Sequence, residues 1–199
     1  MTISTDDASH DSSQDGRDDA DLVGRVRAGD TDAYAVLVRR HARAALRTAV
    51  LLGAGSDAED VVQEALVKAY RSLGSFRADR PFRPWLLRIV ANETRNAHRS
   101  AVRRTGREER QARDLWAELL DPSAAVVDRE EKARLLAAVA GLPDKLRLVV
   151  ACRYLLELDE AATAVVLGVP RGTVKSRLSR GLARLREDLA TTIEEVDHA

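Results

Sequence analysis

From Leu22 to Leu189 apolar residues recur at steps of three and four, a period that predicts helices. No run alternates β-branched with polar residues as a half-buried strand would. A short helix from Asp21 is expected to stop at Gly29-Asp30, and a second to begin near Thr31 with Tyr34, Leu37, Val38 and His41 on one face. A third has Ser56 and Glu59 at capping-box spacing, with Asp57 also favourable at the positive helix end. Its apolar stripe is Val62, Ala65, Leu66, Ala69 and Leu73, and its opposite face carries Asp60, Gln63, Glu64 and Lys68. After the loop GSFRADRPFR, Pro84 suits the first turn of a fourth helix that runs to about Arg104.

The pattern then lapses. Residues 105 to 127 contain Gly106 and Pro122 and read as a flexible linker, with a short helix around Leu115 to Leu119. Periodicity resumes near Asp128 in a helix closed by Gly141, and Pro143 opens the next with Leu146, Val149, Val150 and Arg153 in register. Beyond a break at 157–158, Asp159 can cap a short helix ending at Gly168. Another helix follows, leaving residues 191–199 as a tail. The expectation is an all-α protein: two small helical domains, 21–104 and 128–190, joined by a flexible linker.

Composition narrows the class. The chain of 199 residues is 45% apolar but only 4% aromatic, so its core is built from Leu, Val and Ala. The single Cys152 excludes an internal disulfide and gives no ligand set for a structural metal, which fits a reducing cytoplasm. No apolar run is long enough to span a membrane, and the N-terminus is acidic where a secretion signal would be basic. A cytoplasmic protein with no membrane insertion is expected.

The formal charge of zero conceals a strong segregation. Residues 1–21 carry seven Asp against Arg17 alone, so the remainder is net positive by six. Residues 1–20, rich in Asp and Ser, bury too little to offset ordering entropy and are expected to be disordered. The positive excess lies in residues 77–113, with eleven Arg and four acids, and in residues 171–186, with six basic side chains and no acid. Two such stretches fit two contacts with a polyanion, or two solvated helix faces.

The segment LGVPRGTVKSRLSRGLARLR, residues 167–186, sharpens that choice. A helix of about nine residues, a turn containing Gly168 and a basic helix match the helix-turn-helix arrangement, whose second helix lies in the major groove. In that second helix Val174, Leu178, Leu182, Leu185 and Leu189 define the buried side. Lys175, Ser176, Ser179 and Arg180 share another side, where short hydroxyls allow close approach and long cations reach bases or phosphates. A helix used for solubility mixes Glu with its cations, and this one has no acid until Glu187.

The segments DAEDVVQEALVKAYRSL, FRPWLLRIVANETRN and LGVPRGTVKSRLSRGLARLR, in this order, resemble an extracytoplasmic-function (ECF) sigma factor of the bacterial sigma-70 family. The resemblance spans about residues 21–190 and implies three surfaces and their partners. Asp60, Gln63 and Glu64 would dock on core RNA polymerase, at the clamp of its β′ subunit, with the β subunit as a further contact. Asn92 and Asn96 would meet unpaired bases of the minus-ten element while Arg95, Arg99 and Arg103 follow the backbone. The loop from Phe76 to Arg83 would hold an extruded base, although Phe82 and Trp85 read as core residues. Arg171, Thr173, Lys175, Ser176, Ser179 and Arg180 would contact the minus-thirty-five duplex of promoter DNA. An anti-sigma factor is a further implied partner.

The supporting helix, LDEAATAVVLG, departs from the family pattern: Ala161 and Ala162 replace usual carboxylates, Thr163 stands at a commonly apolar position and Val165 at a polar one. An apolar Val165 fits either a covered partner surface or core. No enzyme is expected, because His10, His41, His98 and His198 are scattered and no phosphate loop is present. No cofactor and no metal are implied. The competing function is a stand-alone helix-turn-helix regulator, in which residues 21–104 would serve dimerisation or sensing.

Overall fold

The computed structural model of the chain describes residues 18–101, 134, 135 and 137–197, without the side chains of 98–101 and 191–197. All regular structure among the described residues is helical: α1 (18–27), α2 (Thr31–Leu51), α3 (Ala58–Ser72), α4 (Phe82–Ala101), α5 (137–141), α6 (Asp144–Val150), which a π-helical segment (Ala151–Leu155) continues, α7 (Glu160–Leu167) and α8 (Arg171–Asp197), with short 3₁₀ turns beside α3. The expected linker helix near Leu115, and the start of the second domain at Asp128, lie outside the described residues.

Helix α1 begins three residues earlier than the charge pattern suggested, within the segment assigned to a disordered tail. Asp19 supplies the reason. Its carboxylate is buried, accepts a bond from Arg40 at 2.8 Å and lies 2.8 Å from the Nε2 of His41. These partners on α2 remove the cost of burying the acid and tie the first turn of α1 down. His41 is therefore the packed histidine its stripe implied, with its ring centroid 5.4 Å from that of Phe82.

Helix α2 starts as expected, with Asp30 accepting from the amides of Asp32 and Ala33. The start of α3 differs. A 3₁₀ turn at Gly55–Asp57 precedes it, and Asp57 makes no side-chain cap. The 3₁₀ turn moves the start of α3 past Ser56, so the capping box expected of Ser56 and Glu59 does not mark it, and the Ala58 N–H bonds the Gly55 carbonyl instead. At the other end of the chain, α8 continues through Asp197 into the expected tail, since no Gly or Pro after Gly181 interrupts it.

Two apolar clusters organise the molecule. One lies wholly within the N-terminal helices and joins Leu22, Val23, Leu37, Leu73, Phe82 and Leu86. The other crosses from one domain to the other, joining Leu87, Val90 and Ala91 of α4 to Val150, Leu158 and Val166. Four neighbouring aromatic rings brace the start of α4. Phe76 meets Phe82 edge-on at 5.7 Å, and Trp85 lies 4.8 Å from Phe76. Phe82 is buried and Trp85 half-buried, in keeping with their reading as core.

Helices α6 and α8 approach closely at Gly181, where a Cβ would lie 2.9 Å from Cγ2 of Val150 and 3.7 Å from Cβ of Leu146. Val150 is β-branched and fully packed, so it has little freedom to move aside. Gly181→Val is expected to destabilise the C-terminal domain by roughly 1–3 kcal/mol through overpacking. Gly172→Ala, on the same helix with nothing within 4 Å, should instead gain up to about 1 kcal/mol of helix propensity. Urea unfolding of both variants separates the packing effect from the backbone effect.

Candidate nucleic-acid interface

The C-terminal element is built as a turn between two helices. Asp159 caps α7 by accepting from the Ala162 amide at 2.6 Å, and Gly168 ends it at φ 68° and ψ 37°. That left-handed conformation favours glycine and lets the Val169 amide return to the Ala164 carbonyl at 3.1 Å. Helix α8 then starts immediately beyond Pro170.

On α8, Val174 and Leu185 are buried and Leu178, Leu182 and Leu189 half-buried, so the inward face matches the sequence stripe. Arg171, Lys175, Ser176, Ser179 and Arg180 are all exposed, while Thr173 is half-buried. Ser176 Oγ donates to the Thr173 carbonyl at 3.2 Å, and Arg180 Nε to the Ser176 carbonyl at 3.2 Å. Both side chains thus lie along the helix, and a phosphate or base edge would compete with neutral carbonyl acceptors for Arg180.

The departures in α7 become intelligible in place. Thr163 is fully buried, and its hydroxyl finds no partner among the described residues, which explains why an apolar side chain suits that position. Val165 is half-buried.

The second basic face lies on α4. Asn92, Arg95 and Asn96 are exposed along one side. Arg95 Nη1 donates to Oδ1 of Asn92 at 2.7 Å, which fixes the amide orientation, and its Nη2 lies 3.4 Å from the carbonyls of both Val166 and Leu167 in α7. Arg99 falls within α4 but its side chain is outside the described set, as is the whole of Arg103. Arg27 was not singled out by the sequence pattern, yet it clamps the turn ahead of the 76–83 loop. It donates to the Leu73 carbonyl at 2.9 Å and also bonds the Phe76 carbonyl. Phe76 itself is buried, so the loop has an apolar anchor, with exposed Arg77 paired to Asp79 at 2.9 Å.

Helix α3 buries Ala58, Val61, Val62, Ala65 and Ala69. Its outer face presents Asp60, Gln63 and Glu64, all exposed. Lys68 lies 3.7 Å from Glu64 and bonds Glu93 of α4, and these carboxylates hold its ammonium above its ordinary pKa, Glu93 foremost. Val67, 49% exposed and one turn from the acids, was missed because it lies off the apolar stripe. Its exposure makes this face mixed, an acidic row with an apolar side chain at its end.

Among the described residues no group of three His, Cys, Asp or Glu side chains could hold a metal, and no helix is long and apolar enough to cross a membrane. The single thiol, Cys152, is buried, and burial pushes it up to about 12.

A helix-turn-helix whose second helix carries no acid before Glu187, with a helical domain that has its own Asn/Arg face, defines a DNA-binding transcription factor of two domains. Residues 37–104 match the model of Sigma-70 region 2 and residues 132–185 that of Sigma-70, region 4. The chain is 32% identical over 167 residues to the ECF RNA polymerase sigma-E factor of Escherichia coli, covering 80% of this chain and 87% of that one. It is 32% identical over 186 residues to the RNA polymerase sigma-H factor of Pseudomonas aeruginosa, covering 89% and 96%. Its fold is similar to CnrH solved with the cytosolic domain of CnrY (TM-score 0.64, 28% identity, 87% of this chain and 98% of that one). It is also similar to RpoE of Bartonella quintana solved with the anti-sigma factor NepR (TM-score 0.60, 24% identity, 77% and 96%).

The chain belongs to the sigma-70 family, as an RNA polymerase sigma factor of the ECF type. It binds core RNA polymerase and directs promoter-specific transcription initiation.

Proposed function

We propose that this sigma factor divides its task among three faces. Asp60, Gln63, Glu64 and Val67 of α3 dock on a basic surface of the polymerase clamp. Asn92, Arg95 and Asn96 of α4, with Arg99 and Arg103 beyond them, capture the opened minus-ten strand. Arg171, Thr173, Lys175, Ser176, Ser179 and Arg180 of α8 read the minus-thirty-five duplex. The single observation that carries this reading is the separation of charge by face within one chain. An acidic patch on α3 is repelled by DNA and attracted to a basic protein, whereas the outer faces of α4 and α8 suit nucleic acid.

Polymerase performs the chemistry, and this subunit supplies the promoter address and the grip on the strand. An anti-sigma partner fits the same reading, since the RpoE relative is held by NepR. A stand-alone regulator would have no use for the α3 face. Core polymerase plus this protein, given genomic DNA, should produce transcripts with a shared upstream pair of elements. Transcripts no different from those of core polymerase alone would refute the reading.

The strand-capture assignment has its own test. Asn92 orients Arg95 and offers its own amide, so Asn92→Ala should reduce open-complex formation roughly tenfold while duplex binding changes little. Permanganate reactivity of promoter thymines measures the opening. Normal reactivity would return Asn92 to a structural role.

A further inference from the structure

The loop assigned to an extruded base is fixed at both ends by groups outside it. Residues 77–81 are all exposed, whereas Phe76 before them and Phe82 after them are buried, with ring centroids 5.7 Å apart. Within the loop the Arg80 N–H donates to the Arg77 carbonyl at 3.0 Å, and the Arg77 guanidinium forks onto Asp79 at 3.1 and 2.9 Å. These bonds close a small turn, and its setting on the domain depends on how the two stems are held.

Both stems lead back to α1. At the first, Arg27 at the end of α1 donates from Nε and Nη2 to the Leu73 carbonyl at 3.1 and 2.9 Å, and its Nη2 also bonds the Phe76 carbonyl. The Gly74 carbonyl lies 3.5 Å from the same nitrogen. These acceptors follow the C-terminal end of α3, where partial negative charge and free carbonyls attract a guanidinium. At the second stem, Asp19 of α1 lies against His41, whose ring centroid is 5.4 Å from that of Phe82.

We propose that Arg27 is a positioning residue for strand capture: its grip on the Leu73 and Phe76 carbonyls holds the 77–81 loop in the shape that receives an unpaired base of the minus-ten strand. The proposal rests on the assignment of that loop to an extruded base. Arg27 acts through the loop and not by touching DNA.

Entropy gives the grip its value. An exposed loop without regular structure would otherwise be ordered at the moment a base enters, and the cost would be subtracted from affinity. Holding the stems in advance moves that cost into folding. The guanidinium suits the task because its planar fork reaches the carbonyls of two residues from one point. A lysine ammonium keeps the charge and loses the fork. The fold does not depend on Arg27, which is exposed: the Phe76 N–H still donates to the Leu73 carbonyl at 3.2 Å, and Phe76 keeps its packing on Phe82 and Trp85.

The test uses core polymerase with the full chain, and single-stranded oligonucleotides carrying the minus-ten sequence of a promoter this holoenzyme transcribes, with each base removed in turn. For the wild type, removal of one particular base should weaken binding roughly tenfold, the scale of a lost stacking contact. Ala78→Gly with Pro81→Gly loosens the loop itself, so it should erase that dependence and mark the base as the loop's. Arg27→Ala should bind the intact strand roughly tenfold more weakly and become insensitive to that same base. Its dependence on every other base, and its helical circular dichroism, should not change. Arg27→Lys should fall between, and Arg27→Ala should add little to the two glycines. A merely structural Arg27 would weaken binding to all strands by one factor. That result, or an Arg27→Ala profile identical to the wild type, would overturn the positioning role and leave the loop assignment standing. A wild-type profile with no base that the glycine variant affects would overturn the loop assignment, and the role of Arg27 with it.

Discussion

Asp60→Arg combined with Glu64→Arg is expected to abolish binding to core RNA polymerase, with a loss of roughly 100-fold or more. Both carboxylates stand on the exposed side of α3, one turn apart, so the change turns an acidic patch into a basic one. Like charges placed across an interface cost several kcal/mol, well above the value of any single rim contact. The fold should survive. Glu64 contributes only an exposed pair with Lys68 at 3.7 Å, and Lys68 keeps its stronger partner Glu93. A like-charge pair at i,i+4 costs only a few tenths of a kcal/mol. A pull-down with core polymerase, alongside circular dichroism, reads both quantities, and undiminished binding would remove α3 from the docking role.

Lys175→Ala or Arg180→Ala should each weaken binding to the minus-thirty-five duplex by roughly 1–3 kcal/mol where the side chain reads a base, with relaxed preference at that position. Where it touches phosphate alone, the loss should be equal across sequences and the salt dependence should flatten by about one counterion. Arg184 and Arg186, exposed farther along α8, are internal controls and should matter less. Ser176→Leu and Ser179→Leu should block close approach without disturbing stability, because both are exposed and away from Val174 and Leu185. Titrations at several salt concentrations decide the matter. Equal, sequence-independent and salt-insensitive effects at all four basic positions would make α8 a solvated basic face.

Much of the site was legible because its residues declare themselves by local pattern. The inward stripe of α8, the cap at Asp159, the left-handed Gly168 and the acidic side of α3 all follow from periodicity and short-range turn chemistry. Val67 escaped notice because a lone apolar residue among charges has no periodic signature. Arg27 did too, since its acceptors, the Leu73 and Phe76 carbonyls, are about fifty positions away and any residue has a carbonyl.

By itself the sequence determined the helices, their order, the basic and acidic faces, and a resemblance specific enough to name the family. Each of these depends on contacts within a few residues or on motifs of short span. Only the tertiary structure decided that Asp19 is structural, through a buried partnership with His41 and Arg40 across α1 and α2. It also decided that Thr163 is core and that four arginines lie along a seam between the domains. The physical reason is common to the acid and the arginines. An arginine that caps a distant helix, like an acid buried against a distant histidine, is chosen by long-range geometry, and in the sequence it looks like one more exposed charge.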